Sequence, residues 1–213
     1  MDLLQAYRQE IERRDLIEDQ VQIEAVERLQ RLAIDMERYE RSRAGLLTRL
    51  FSKQKAPKGL WLWGGVGRGK SFVMDLFFES LDVERKGRFH FHEFMREVHR
   101  ELEHHKGQAN PLDSVGTQIA KRYQILCFDE FHVSDIADAM ILERLLKVVF
   151  SQGLVLVCTS NYQPEKLYPN GLHRDRILPA IALLEQCLDC MQLDAGVDYR
   201  DRKSTRLNSS HVS

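Results

Sequence analysis

Cysteine is scarce, with four residues in a chain of 213. That excludes a disulfide scaffold and points to a reducing compartment, the cytoplasm. No apolar run approaches the roughly 18 residues of a membrane-spanning helix, so integral membrane association is not expected. The opening stretch MDLLQAYRQEIERRD has acids in its first turns and no apolar centre, which argues against a secretory signal or a mitochondrial presequence. An excess of one charge is also missing: 31 Lys and Arg face 32 Asp and Glu, a formal net charge of −1. Nucleic-acid binding through a general basic surplus therefore has no support. What is present suffices for a core. The chain is 43% hydrophobic and 30% charged, which excludes global disorder, and its length suits one domain with an extension.

Four stretches differ in character. Residues 1–40 are rich in Glu, Arg, Gln and Leu, and Val26, Leu29, Ala33 and Met36 follow the 3, 4, 3 spacing of one helical face. We read them as an N-terminal helical extension with a solvated, ion-paired outer side. Residues 41–58 carry Arg41, Arg43, Arg49, Lys53, Lys55 and Lys58 without an acid, and read as a basic linker closed by Pro57. Residues 59–200 alternate short apolar runs with helical patterns. Strands are expected at Leu60 to Trp63, Arg88 to His92, Tyr123 to Phe128 and Leu154 to Thr159. Helices are expected at Phe72 to Leu81, Glu93 to His105, 112–121 and Asp138 to Phe150. Such alternation predicts an α/β fold with a parallel sheet covered on both faces. Residues 201–213 begin DRKSTRLNSSH, a polar string without periodicity that resembles a translated sequencing adapter. We set it aside as non-native, which leaves 28 basic and 31 acidic residues and implies that sequence native to the region after Arg200 is missing.

The strongest chemical signal is Gly64-Gly65-Val66-Gly67-Arg68-Gly69-Lys70-Ser71. It satisfies G-x-x-x-x-G-K-[ST] at every fixed position, with an apolar strand before it and a helix after it. In that pattern, backbone N–H groups and a helix N-terminus cradle a triphosphate. Lys70 is expected to contact the β- and γ-phosphates of ATP, and Ser71 to ligate Mg²⁺. A second signal is the apolar strand Ile125-Leu126-Cys127-Phe128 running into Asp129 and Glu130, a Walker B pattern 59 residues after Lys70. Asp129 would hold Mg²⁺ through water, and Glu130 would orient or deprotonate the attacking water. A third is Asn161, after the strand LVLVCT, where a polar group could hold that water between the two strand tips. Arg174 and Arg176, ahead of the final core strand, suit an arginine finger offered to a neighbouring subunit.

Taken together, GLWLWGGVGRGKS, RFHFHEFMREVH, LCFDEFHVSDIADAMIL, TSNYQPEKLYPNGLHRDRILPAI and DAGVDYR resemble the ZapE family of bacterial cell-division AAA+ ATPases, which has mitochondrial relatives. The resemblance covers about residues 20 to 200. It implies a P-loop NTPase with a RecA-like AAA+ core, ATP hydrolysis, a homo-oligomer with its arginine finger in trans, and association with the division protein FtsZ at the septum. The site it implies is Lys70, Ser71, Asp129, Glu130, Asn161, and Arg174 or Arg176. Two alternatives stand beside it: a helicase-loader-like ATPase working with DNA, and a quality-control ATPase or adaptor like the mitochondrial relatives. The family's usual helical lid after the core has no counterpart in this sequence, so slow turnover is expected. His132 sits where an aromatic is expected.

Other constellations weigh less. His90 and His92 would share a face of the strand RFHFH, but with His99 they lack a third ligand at metal spacing, so structural histidines are expected. A single Cys187-x-x-Cys190 lacks the second pair that zinc wants. Trp61 and Trp63 read as packing.

Overall fold

The computed structural model describes residues 2–44, 55–169 and 171–194. Residues 45–54 of the basic stretch and the whole of 195–213, adapter-like string included, lie outside the described residues.

Two helices come first, α1 (Leu3–Arg13) and α2 (Gln20–Ala44). The alternating part follows as β1 (Gly59–Trp63), α3 (Lys70–Ser80), β2 (Lys86–His90), α4 (Phe91–His104), α5 (Pro111–Arg122), β3 (Ile125–Asp129), α6 (Ile136–Ser151), β4 (Val155–Ser160), α7 (Leu178–Cys187) and β5 (Leu188–Gln192). Local chemistry sets several ends. Asp2 caps α1 with a carboxylate that accepts from Leu4 N–H, and Asp135 does the same for α6 at Ala137. Pro111 opens α5, where a missing N–H costs nothing.

The five strands form one wholly parallel sheet in the order β2-β3-β4-β1-β5. Side chains alternate between its two faces. Leu60, Leu62, Ile125, Cys127, Val155 and Val157 enter one core, and Trp61, Leu126, Phe128, Leu156 and Cys158 enter the other. The first core is closed by α1, α2 and α3 through Leu3, Tyr7, Val26, Leu29, Met36, Val73 and Phe77. The second is closed from α4 to α7, with Phe91 and Phe131 stacked at 3.8 Å between ring centroids. The helical face expected at Val26, Leu29, Ala33 and Met36 is therefore the face that covers the sheet: Val26, Leu29 and Met36 are fully buried, and Ala33 is partly buried against the same core. Helix α1, which sequence periodicity did not single out, is seated beside it through Tyr7 and Ile11.

One expected boundary is wrong. Arg88 to His92 is not a strand: β2 ends at His90, and Phe91 already belongs to α4. Phe91, Phe94, Met95 and Val98 are all buried, and their i, i+3, i+4, i+7 spacing carries the helix two residues further back than the polar Glu93 suggested. His90 and His92 thus sit on different elements, although their rings still stack at 5.9 Å. His99 instead faces Asp138, with Nε2 2.7 Å from Oδ1. Cys187 closes α7 while Cys190 lies on β5, and all four cysteines are free. Among the described residues no helix is long and apolar enough to cross a membrane.

Candidate active site

Parallel strands raise their C-terminal ends on one edge, and the register decides which tips are neighbours. Strand β4 lies between β1 and β3, with Trp63 beside Ser160 and Phe128 beside Cys158. The loop after β1, the Asp129 tip of β3 and Asn161 after β4 therefore meet in one row, at the edge where open α/β sheets bind ligands.

The glycine-rich loop turns from β1 into α3 through Gly67 and Gly69, at φ 81° and 78°. Those left-handed values suit residues without a Cβ. Lys70 opens the helix and folds back over the loop. Its three ammonium protons have three acceptors: Gly64 O at 2.8 Å, Gly65 O at 2.7 Å and Asn161 Oδ1 at 3.1 Å. Burial pulls its pKa below the ordinary lysine value, against the opposing charges of Asp194, Asp129 and Glu130.

Asp129 is 4% exposed and its carboxylate is fully engaged. Oδ1 accepts from Ser71 Oγ at 2.8 Å and from Thr159 Oγ1 at 2.5 Å, and Oδ2 accepts from the Arg88 guanidinium at 3.0 Å. Burial alone would raise its pKa. The donors from Thr159 and Ser71 and the charge of Arg88 outweigh that and hold it below the ordinary value, so it stays ionised. Arg88 also pairs with Asp75, one turn beyond Ser71 on α3, at 2.5 Å.

Glu130 follows at φ 53°, a conformation uncommon for a residue with a Cβ. Its N–H donates to Thr159 Oγ1 at 3.1 Å, and the next N–H, of Phe131, donates to Thr159 O at 2.7 Å. This clamp turns the chain at the strand tip and leaves the Glu130 side chain exposed. On the far side of the loop, Asp194 accepts from Gly65 N–H at 2.7 Å, and that hydrogen bond depresses its pKa.

Lys70 thus meets Asn161 and Ser71 meets Asp129, two adjacent contacts at the start of α3, with Glu130 next to Asp129. Arg174 and Arg176 are not part of this cluster among the described residues. They lie in a short 3-10 turn before α7, where Arg174 donates to Glu165 O at 2.7 Å and Arg176 lies 3.8 Å from Asp175. Sequence reasoning assigned no role to Thr159, Arg88, Asp194 or Gln22, which all bear on the site. Thr159 adjoined a residue that was singled out. The others had no local signal. Trp61, read as packing, is fully buried and also donates from Nε1 to Tyr162 O at 2.9 Å.

The donor set fits magnesium. A hydroxyl and one carboxylate side by side are hard oxygen ligands, and Mg²⁺ beside phosphates needs only one or two carboxylates, with waters completing its shell.

A family model described as AFG1-like ATPase matches residues 1–213. The chain belongs to the AFG1-like ATPase family. Among curated relatives, the cell division protein ZapE of Escherichia coli K12 is 52% identical over 155 residues, which are 73% of this chain and 41% of that protein. Lactation elevated protein 1 homolog B of Danio rerio is 41% identical over 163 residues, 71% of this chain and 32% of that protein. The chain thus spans about two-fifths or less of the relatives it matches. Among solved structures, DnaI shares the fold at a TM-score of 0.57 with 16% identity, over 83% of this chain and 86% of that one. The parallel sheet and phosphate loop of this AFG1-like chain are those of a P-loop NTPase.

Proposed function

We propose that the chain binds Mg²⁺-ATP at the C-terminal edge of the sheet and hydrolyses it to ADP and phosphate. The observation that carries this reading is the convergence of the Lys70 ammonium, the Ser71 hydroxyl, the Asp129 carboxylate and the Asn161 amide on the glycine-rich loop. The loop's N–H groups and Lys70 bind and orient the triphosphate. Ser71 and Asp129 would hold Mg²⁺, which neutralises charge on the transferring phosphoryl group. Glu130 orients the attacking water and takes its proton, and Asn161 fixes the water opposite the leaving oxygen.

Lys70→Ala and Glu130→Gln test this together. Lys70→Ala should abolish ATP binding, because the phosphates lose their direct cation. Glu130→Gln should retain binding and lose roughly 10²-fold or more in turnover, in line with removal of a positioned base. Equal turnover by Glu130→Gln and wild type would remove Glu130 from the chemistry.

The reading extends to assembly and partner. Arg174 or Arg176 would complete a neighbour's site, which would make the working form a homo-oligomer; identity to the cell division protein ZapE supports a role in division, to which we add FtsZ as the proposed partner, in the cytoplasm at the septum. Pull-down of FtsZ by the wild type but not by Lys70→Ala would support that partnership. The DNA-associated alternative would draw on the basic residues of 41–58, and DNA binding with a steep salt dependence would favour it.

A further inference from the structure

Gln22 lies on α2, 46 residues before the loop it touches, and is 3% exposed. Its Nε2 donates to the carbonyl oxygen of Arg68 at 3.1 Å. Its Oε1 lies 3.2 Å from the Tyr7 hydroxyl, which in turn lies 3.3 Å from Asp19 N. The direction of this chain of hydrogen bonds is forced. A backbone N–H only donates and a backbone carbonyl only accepts. The Tyr7 oxygen therefore accepts from Asp19 and gives its single proton to Gln22 Oε1. The other end of the amide is left to donate to Arg68. Tyr7 is fully buried, so solvent does not compete for the arrangement.

The consequence falls on the phosphate loop. In a planar trans peptide the C=O and N–H point to opposite sides. Holding the Arg68 oxygen on Gln22 turns the N–H of Gly69 away from α2. The loop is also shaped around this side chain: Gly69 sits at φ 78°, and a Cβ there would lie 2.6 Å from Gln22 Nε2. Immediately beyond, Gly69 O accepts from Val73 N–H at 3.0 Å and so begins the α3 ladder.

We propose that Gln22 is a positioning residue: its amide, oriented by Tyr7, sets the Arg68–Gly69 peptide so that the loop presents preformed N–H donors to a triphosphate. The N-terminal helices would thereby tune nucleotide affinity without touching the nucleotide's reacting atoms. The inference rests on the reading of this loop as the ATP site. Preformed donors lower the ordering cost of binding, so their loss should appear in affinity rather than in the chemical step.

The test is Mg²⁺-ATP affinity, measured with a fluorescent ATP analogue, together with Tm and steady-state kinetics, for Gln22→Glu, Tyr7→Phe and Lys70→Ala. Gln22→Glu keeps the shape and sets an acceptor against the Arg68 carbonyl. It should weaken affinity and raise KM by about 10-fold or more while kcat stays within about 2-fold. Tyr7→Phe removes one oxygen and frees the amide to turn, so a smaller loss in the same direction, about 3-fold, is expected. A lowered Tm with unchanged affinity in both variants would show a merely structural role and overturn the proposal. If Lys70→Ala binds like wild type, the ATP-site reading falls and this inference with it. If Lys70→Ala fails to bind while Gln22→Glu binds normally, only this inference falls.

Discussion

Replacing Arg88 with methionine keeps most of its stem and removes its charge. Asp129 is then a buried carboxylate without its cation, holding only the hydroxyl donors from Ser71 and Thr159. Breaking a buried ion pair from one side costs about 3–5 kcal/mol when nothing else compensates, and a hydrogen bond to a charged group is worth about 1.5–3 kcal/mol. Two donors remain and Arg88 is 27% exposed, so the lower range applies, about 2–3 kcal/mol. The Arg88–Asp75 pair adds little, because Asp75 is 42% exposed. At about 2–4 °C per kcal/mol for a chain of this size, Tm should fall by roughly 5–10 °C at pH 7. The pH dependence gives a second handle. Asp129 has its pKa held below the ordinary value, so its stabilising contribution is complete above the unfolded-state pKa. It is lost as pH falls through the depressed folded value, a window below about 4. Without Arg88, one of the causes that hold the folded pKa down is gone and that pKa rises, so protonation relieves the variant before the wild type. The Tm deficit should therefore shrink between pH 7 and pH 4. Calorimetry at both pH values with Arg88→Lys as control, which should recover part of the deficit, tests the argument. A deficit under 2 °C at pH 7, or one that stays constant with pH, would refute it.

Thr159→Val keeps the shape but removes the donor to Asp129 and the acceptor for Glu130 N–H, and should cost about 1–3 kcal/mol in denaturant titration. An unchanged midpoint would show that the clamp at the strand tip is not stabilising. Leu29→Ala on α2 empties a fully buried position in the sheet-covering core and should cost about 2–5 kcal/mol. A loss below about 0.5 kcal/mol would mean that the helix does not seat there as described. Mixing Arg174→Ala/Arg176→Ala protein with Glu130→Gln protein should restore some ATP turnover, since each supplies what the other lacks. No recovery despite demonstrated co-assembly counts against a finger in trans.

Much of the site was legible because its recognition is local. A strand, a glycine-rich loop and a helix N-terminus are consecutive in sequence, so Gly64 to Ser71 declare the phosphate cradle without reference to the rest of the chain. Strand β3 was legible for the same reason: its apolar run and its acids are adjacent letters. The continuous apolar runs of β3 and β4 also predicted a parallel sheet covered on both faces, because strands buried on both sides cannot show a polar alternation. Helix boundaries were legible to about two residues; at Phe91 the shift moved a residue from strand to helix, because a buried phenylalanine serves both patterns equally well. What sequence did not determine is which side chains from distant elements share a height at the sheet edge. Only the order β2-β3-β4-β1-β5 and its register set Arg88 of β2 and Thr159 of β4 on the two oxygens of Asp129. Only the seating of α1 and α2 on the first core carries Gln22 to the Arg68 carbonyl. Strand pairing and helix docking are decided by the packing of both sheet faces at once, and a side chain carries no mark of the neighbour it will meet until that packing is complete.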